Sequence, residues 1–226
     1  MGREIASRAK TQLVAASIGA LGELPGGSIV AAMLNASLAR SAEEKTLRLL
    51  TKLEERVLRA EHDIKEPKDP AAFSAVFNAV LLETSRTYSN EKIDLLGGLL
   101  ANSFGWEPAD WQLNQRPLDT LIAMSEAELR VLVFVSDPQA WMKNNDVALE
   151  LTPFGMSYSE FVLKTLCKDD PRLHEDVLFS IEALTSKLLI GLVGTDTQMT
   201  SEGLFASRTA PLGDRVLELG RTTTVS

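Results

Sequence analysis

Cysteine and histidine are almost absent. One cysteine, Cys167, and two histidines, His62 and His174, stand among 226 residues. A single cysteine cannot close an intramolecular disulfide, and it fits a reducing, cytoplasmic setting. So few nitrogen and sulfur ligands leave too little for a zinc centre, and neither a metal nor a cofactor is expected. Aromatic residues make up only 6% of the chain, so the core must come from Leu, Val, Ile and Ala. That mixture favours helix packing over a β-sandwich. Cations are the scarcer charge, 23 Lys and Arg against 31 Asp and Glu, for a net charge of −8. Phosphate neutralisation supplies much of nucleic-acid affinity, so this balance argues against a nucleic-acid partner. Phosphate-binding glycine loops are missing too. Gly22 to Gly27 lacks the Lys-Ser/Thr of a P-loop and the spacing of a dinucleotide fingerprint.

What is present is ordinary globular composition, 45% apolar and 24% charged, in a length that suits two small domains. Residues 11–39 carry one charge, Glu23. Two runs rich in Ala, Ile and Val flank Gly22-Glu23-Leu24-Pro25-Gly26-Gly27, which breaks a helix. Each run is about 10 to 12 residues, short of the ~20 a membrane-spanning helix needs. A buried core hairpin is expected, with insertion into a membrane as the rival. Arg3, Arg8 and Lys10 resemble the start of a secretory signal, but Pro25-Gly26-Gly27 interrupts the apolar stretch and no small-x-small cleavage site follows.

Residues 41–66 read as an amphipathic helix. Leu50, Leu53, Val57, Ala60 and Ile64 recur at spacings of three and four, as in a coiled-coil seam. Glu44 and Arg48, Glu55 and Arg59, and Glu61 and Lys65 stand four apart in the favourable order. Ser41 with Glu44 makes a capping box, and Pro67 ends the helix. Leu50, Leu53, Val57 and Ile64 are the candidate interaction residues, for a protein partner or a second copy of the chain.

Residues 70–123 predict two or three further helices. Phe73, Val76, Phe77, Val80 and Leu81 form one stripe, and a helix starting at Ser89 to Lys92 carries Ile93, Leu96, Leu99 and Leu100. Gly97-Gly98 inside it costs roughly 1 kcal/mol per glycine relative to alanine, as close helix packing would require. Trp106 to Trp111 reads as a loop. Ser125-Glu126-Ala127-Glu128 opens another helix. Two similar phrases follow, Leu151-Thr152-Pro153-Phe154-Gly155 and Arg208-Thr209-Ala210-Pro211-Leu212-Gly213. Each predicts a helix start with threonine as N-cap and proline in the first turn. Between them a long helix is expected over Leu173 to Leu189, burying Val177, Leu178, Ile181, Leu184 and Leu188. Ile190 to Val193 and Gly203 to Ser207 read as two strands around a hairpin tip.

The order helix, short helix, long helix, β-hairpin, helix resembles a winged-helix domain over about 95 residues, carried by Leu184 to Ile190, the two strands and Thr209 to Leu219. The expected fold is therefore mainly α: a helical bundle over 1–123 and a winged-helix-like α+β domain over 124–226. A second resemblance runs through Glu83 to Thr87, Ser89 to Ile93, Leu99 to Asn102, Leu118 to Ile122 and Leu129 to Leu132. It is similar to bacterial helical proteins of the abortive-infection alpha type, which implies a place in phage defence and no catalytic motif.

The densest polar cluster is Cys167 to Asp176. A cysteine nucleophile needs a base and an oriented third group, and the spacing here matches no such signature. Asp170 as N-cap, Pro171 in the first turn, and Glu175 and Asp176 near the positive helix end account for these residues. A recognition helix for DNA should present Arg, Lys, Asn or Gln to base edges. The long helix offers Glu175, Asp176 and Glu182 with Lys187 as its one firm cation. A non-enzymatic interaction or scaffold role is the expectation. A membrane-active effector using residues 11–39 and a winged-helix DNA-binding regulator are the alternatives. Burial of each seam residue is worth on the order of 1.5 to 3 kcal/mol. Leu53→Asp should therefore unfold the bundle or dissociate an oligomer, and unchanged melting temperature and mass would refute the seam.

Overall fold

Helix starts are written as a polar residue ahead of an apolar run, and the chain folds at each. Asp69, Ser89, Ser125 and Ser157 each place a side-chain oxygen on a backbone N–H three residues on, satisfying donors that a helix start leaves open. In the computed structural model, residues 45, 48, 49, 51, 67–148, 156–191 and 198–221 are described. The apolar stretch 11–39, the seam residues Leu50, Leu53, Val57 and Ile64, and the phrase 151–155 lie outside the described residues. Among the described residues the protein is mainly helical with one small two-stranded sheet. It divides into two compact units, Met1–Ile122 with Glu218–Ser226, and Ala123–Leu217.

The first unit holds α1 (Pro70–Arg86), α2 (Asn90–Ser103) and α3 (Pro108–Ala123, its final residue counted with the second unit). Phe73, Phe77 and Val80 of α1 are buried, and Phe73 meets Phe104 edge-on at 5.1 Å. Ile93, Leu96, Leu99 and Leu100 are buried on α2, as are Gly97 and Gly98. A charge lies inside this core. Lys92 is buried, and its Nζ donates to Glu83 Oε1 at 2.5 Å and to the Ile122 carbonyl at 3.2 Å. One ammonium thus joins α1, α2 and the end of α3. The stretch 106–111 is not all loop. Helix α3 begins at Pro108 because proline needs no partner in a first turn and Asp110 accepts from the Glu107 N–H at 2.9 Å.

The second unit contains α4 (Glu126–Ser136), α5 (Pro138–Asn144), β1 (Met156–Ser157), α6 (Tyr158–Leu166), a 3-10 turn (Pro171–Leu173), α7 (His174–Ser186), β2 (Gln198–Met199) and α8 (Ser201–Phe205). Helix α9 (Pro211–Gly220) follows, its last turn counted with the first unit. β1 and β2 are antiparallel, Met156 opposite Met199 and Ser157 opposite Gln198. The core joins Leu129, Leu132 and Val135 of α4 with Val177, Ile181 and Leu184 of α7 and an aromatic group around Phe161.

Three expectations need correction here. Gly203 to Ser207 is not a strand: Thr200 Oγ1 accepts from the Gly203 N–H, and Ser201–Phe205 is helical. A short apolar run cannot be assigned by periodicity alone, and the cap decides it. Ile190 pairs instead with Thr209 in a single antiparallel bridge. Thr209 is not the N-cap of α9; the Asp214 N–H bonds to the Ala210 carbonyl, and the Thr209 hydroxyl bonds to the Asp214 carboxylate. The long helix is also shorter than expected: it starts at His174, after the 3-10 turn that Asp170 caps, and ends at Ser186 because Leu188 turns left-handed.

Glycine at 213 is required by space. A Cβ there would lie 2.1 Å from the Leu189 carbonyl oxygen, a backbone atom that cannot swing aside. Gly220 has the same role against Leu95. Gly213→Ala should cost about 3 kcal/mol, the upper part of the range for overpacking, measured by urea unfolding. A loss below about 0.5 kcal/mol, ordinary for a surface change, would show that the approach is not so tight.

Candidate functional site

Of the residues nominated from the sequence, the seam lies outside the described residues. Beside it, Leu49 is fully buried and Arg48 holds both carboxylate oxygens of Asp94, at 3.0 and 2.9 Å. The polar cluster around Cys167 does not assemble as chemistry. Cys167 is buried at the end of α6, and burial pushes its thiol up against the opposing effect of Arg130. A nucleophilic cysteine needs the reverse shift. Asp170 turns to Arg172, whose Nε and Nη2 donate at 2.8 and 2.9 Å, while His174 is exposed. Among the described residues no three His, Cys, Asp or Glu side chains group as metal ligands.

A second polar pair lies at the start of α6. Tyr158 is fully buried, and its hydroxyl has no hydrogen-bond partner among the described residues. The Arg208 guanidinium sits 5.4 Å from the centre of its ring and donates to the Gly203 carbonyl at 2.9 Å. Burial raises the Tyr158 hydroxyl well above its ordinary value, only partly opposed by Arg208. Burial therefore favours the neutral form of the phenol. The cation bonds to the middle of α8, whose Phe205 packs edge-on against Phe161.

Helix α7 departs most from expectation. Val177, Ser180, Ile181 and Leu184 complete its buried stripe. Residues advance by about 100° each around a helix, so Leu178 and Phe179 point off that stripe. Leu178 is 45% exposed and Phe179 67% exposed. Glu175 lies one turn before them and Glu182 one turn after, both exposed. The outer face thus reads acid, apolar pair, acid. Leu178 thus lies outside the buried face expected to include it, because the stripe beside it is already complete.

The end of α7 carries the second departure. Leu188 was expected in the buried face, yet it is 67% exposed with φ of 59°. Its N–H donates to the Thr185 carbonyl at 3.0 Å, and that of Leu189 to the Leu184 carbonyl at 2.9 Å. These are the two bonds of a Schellman motif, with buried Leu184 and Leu189 as its apolar contact. The left-handed position in that motif usually belongs to glycine. Lys187, the sole firm cation of this helix, is engaged: its Nζ meets Glu128 Oε1 at 2.5 Å. Burial alone would raise the Glu128 carboxyl, but the bonds from Lys187 and the Ser125 N–H hold it below its ordinary value. A depressed folded pKa adds stability above the unfolded carboxylate value. That contribution is lost as pH falls through the folded value.

Comparisons of the chain with family models, with curated proteins and with solved structures find no match. Among the described residues no helix is long and apolar enough to cross a membrane.

The left-handed penalty for leucine, roughly 1 to 2 kcal/mol, exceeds the extra unfolded-state entropy of glycine, roughly 0.5 to 1 kcal/mol. Leu188→Gly should therefore stabilise the protein by up to about 1 kcal/mol and raise its melting temperature by a few degrees. A lower melting temperature would show that Leu188 makes native contacts outweighing its strain.

Proposed function

We propose that the protein is a non-enzymatic interaction module that engages a protein partner through the outer face of α7. One observation carries this reading: Phe179, beside Leu178, stands two-thirds exposed on a helix whose buried stripe is already complete. Large aromatic side chains that protrude from a rigid element are typical anchors of protein contacts. Leucine at the strained position 188 adds support, since unstrained glycine would serve the fold better.

The second unit supports a winged-helix-like reading. Helix α4, short helix α5, strand β1, helices α6 and α7, and strand β2 paired back to β1 support that order, while the second strand expected for the hairpin is helix α8. In such a domain α7 would be the recognition helix. Its outer face bears acids and apolar groups where base edges and phosphates call for Arg, Lys, Asn or Gln, so we read it as adapted to protein. The setting we propose, a bacterial defence or stress assembly, rests on the resemblance of residues 83–132 alone.

A photo-crosslinking phenylalanine analogue at position 179, in cells that naturally make the protein, tests this. A discrete protein adduct is expected there and none from exposed position 143 on α5. No adduct at 179, or salt-sensitive binding of random duplex DNA below micromolar concentration, would overturn the reading.

A further inference from the structure

The charges around the apolar pair restrict what can cover it. Glu175, Asp176 and Glu182 are exposed on α7, and no ion-pair partner holds any of them among the described residues. Lys187 is occupied by Glu128. Glu175 stands four residues before Phe179 and three before Leu178; Glu182 stands three and four after. The carboxylates therefore bracket the pair almost symmetrically.

That symmetry argues against a second copy. A two-fold contact brings the same patch together from both chains. Packed antiparallel about the pair, Glu175 of one copy would face Glu182 of the other. Packed parallel, each acid would face itself. Both arrangements juxtapose like charges around an apolar centre, which selects against them. An anionic lipid surface or a nucleic acid meets the same repulsion.

We propose that the outer face of α7 binds a cationic amphipathic helix, whose apolar residues cover Leu178 and Phe179 while its Lys or Arg side chains meet Glu175, Asp176 and Glu182. This rests on the proposed interaction role and names the chemistry of its partner. A helix laid on such a face presents anchors at spacings of three and four. Flanking cations one turn from the anchors then reach the acids on either side. The apolar contact supplies affinity, and the charge pairs select the partner and speed its approach.

The test uses the full chain and two synthetic peptides of roughly 18 residues, five helical turns. One carries Leu and Lys at helical spacing, and the other carries Glu in place of Lys. Fluorescence anisotropy should show the Leu/Lys peptide binding at least about tenfold more tightly than the Leu/Glu peptide, with affinity falling as salt rises. Glu182→Lys should weaken the Leu/Lys peptide about tenfold or more. Asp119→Lys, the same change of net charge on exposed α3, should leave it unchanged. Phe179→Ser should weaken it with no loss of melting temperature. The double variant Glu175→Lys with Glu182→Lys should reverse the preference in favour of the Leu/Glu peptide, which a folding defect cannot do. Equal binding of both peptides, binding of neither, or equal effects of Asp119→Lys and Glu182→Lys would overturn the proposal. So would a Phe179-dependent doubling of mass in solution, which would make a second copy the occupant. If the adduct at position 179 forms while neither peptide binds, the interaction role stands and this partner chemistry falls.

Discussion

The second unit depends on one close backbone approach. The Leu189 carbonyl accepts from the Ala210 N–H at 2.9 Å and lies where only a glycine at 213 leaves room. The chain must therefore leave α7 in time to run beside the start of α9. Leu188 takes the left-handed conformation that allows this, and Leu189 and Ile190 then turn inward while Leu188 turns outward. The Gly191 N–H completes the crossing on the Arg208 carbonyl at 2.8 Å, and the Arg208 N–H in turn reaches Val135 at 2.9 Å. The end of α4, the exit from α7 and the entry to α9 are thus one hydrogen-bonded knot.

That knot sets which side of α7 can be covered. Val177, Ile181 and Leu184 meet α4, and the Glu128–Lys187 pair ties the C-terminal end of α7 to the N-terminal turn of α4. Rotation of α7 to bury Leu178 and Phe179 would break that pair and pull Leu189 out of the core. The apolar pair stays outside because the better packed alternative is already taken. This is how a sequence can carry two adjacent large apolar residues that the domain itself does not use.

Much of the fold was legible in the residues. Polar caps at Ser89 and Ser125 begin helices as expected, the latter with a complete capping box through Glu128. The alternation Phe73, Phe77, Val80 marks a core face, although Val76 and Leu81 remain partly exposed. Short range signals failed where long range contacts decide. The run Gly203 to Phe205 is too short to carry a period, and Thr200 makes it helical. Ile190 finds Thr209, nineteen residues away in sequence, a pairing no local pattern contains. The candidate site was half legible. The acids on α7 were evident, but Leu178 and Leu188 looked like core because a helix of unknown length and rotation hides which apolar residues are surplus. Lys92 left no signal, since a lysine with Glu83 nine residues earlier reads as an ordinary surface pair until the helices fold together.

Recognition through the outer face of α7 can be followed residue by residue. Backbone amide shifts of the isotope-labelled full chain, followed while the Leu/Lys peptide is added, test it most directly. Saturable shifts concentrated in residues 174–188 are expected, with α3 and α5 unmoved. Shifts scattered over acidic surfaces of both units, or absent from 175, 178, 179 and 182, would contradict it.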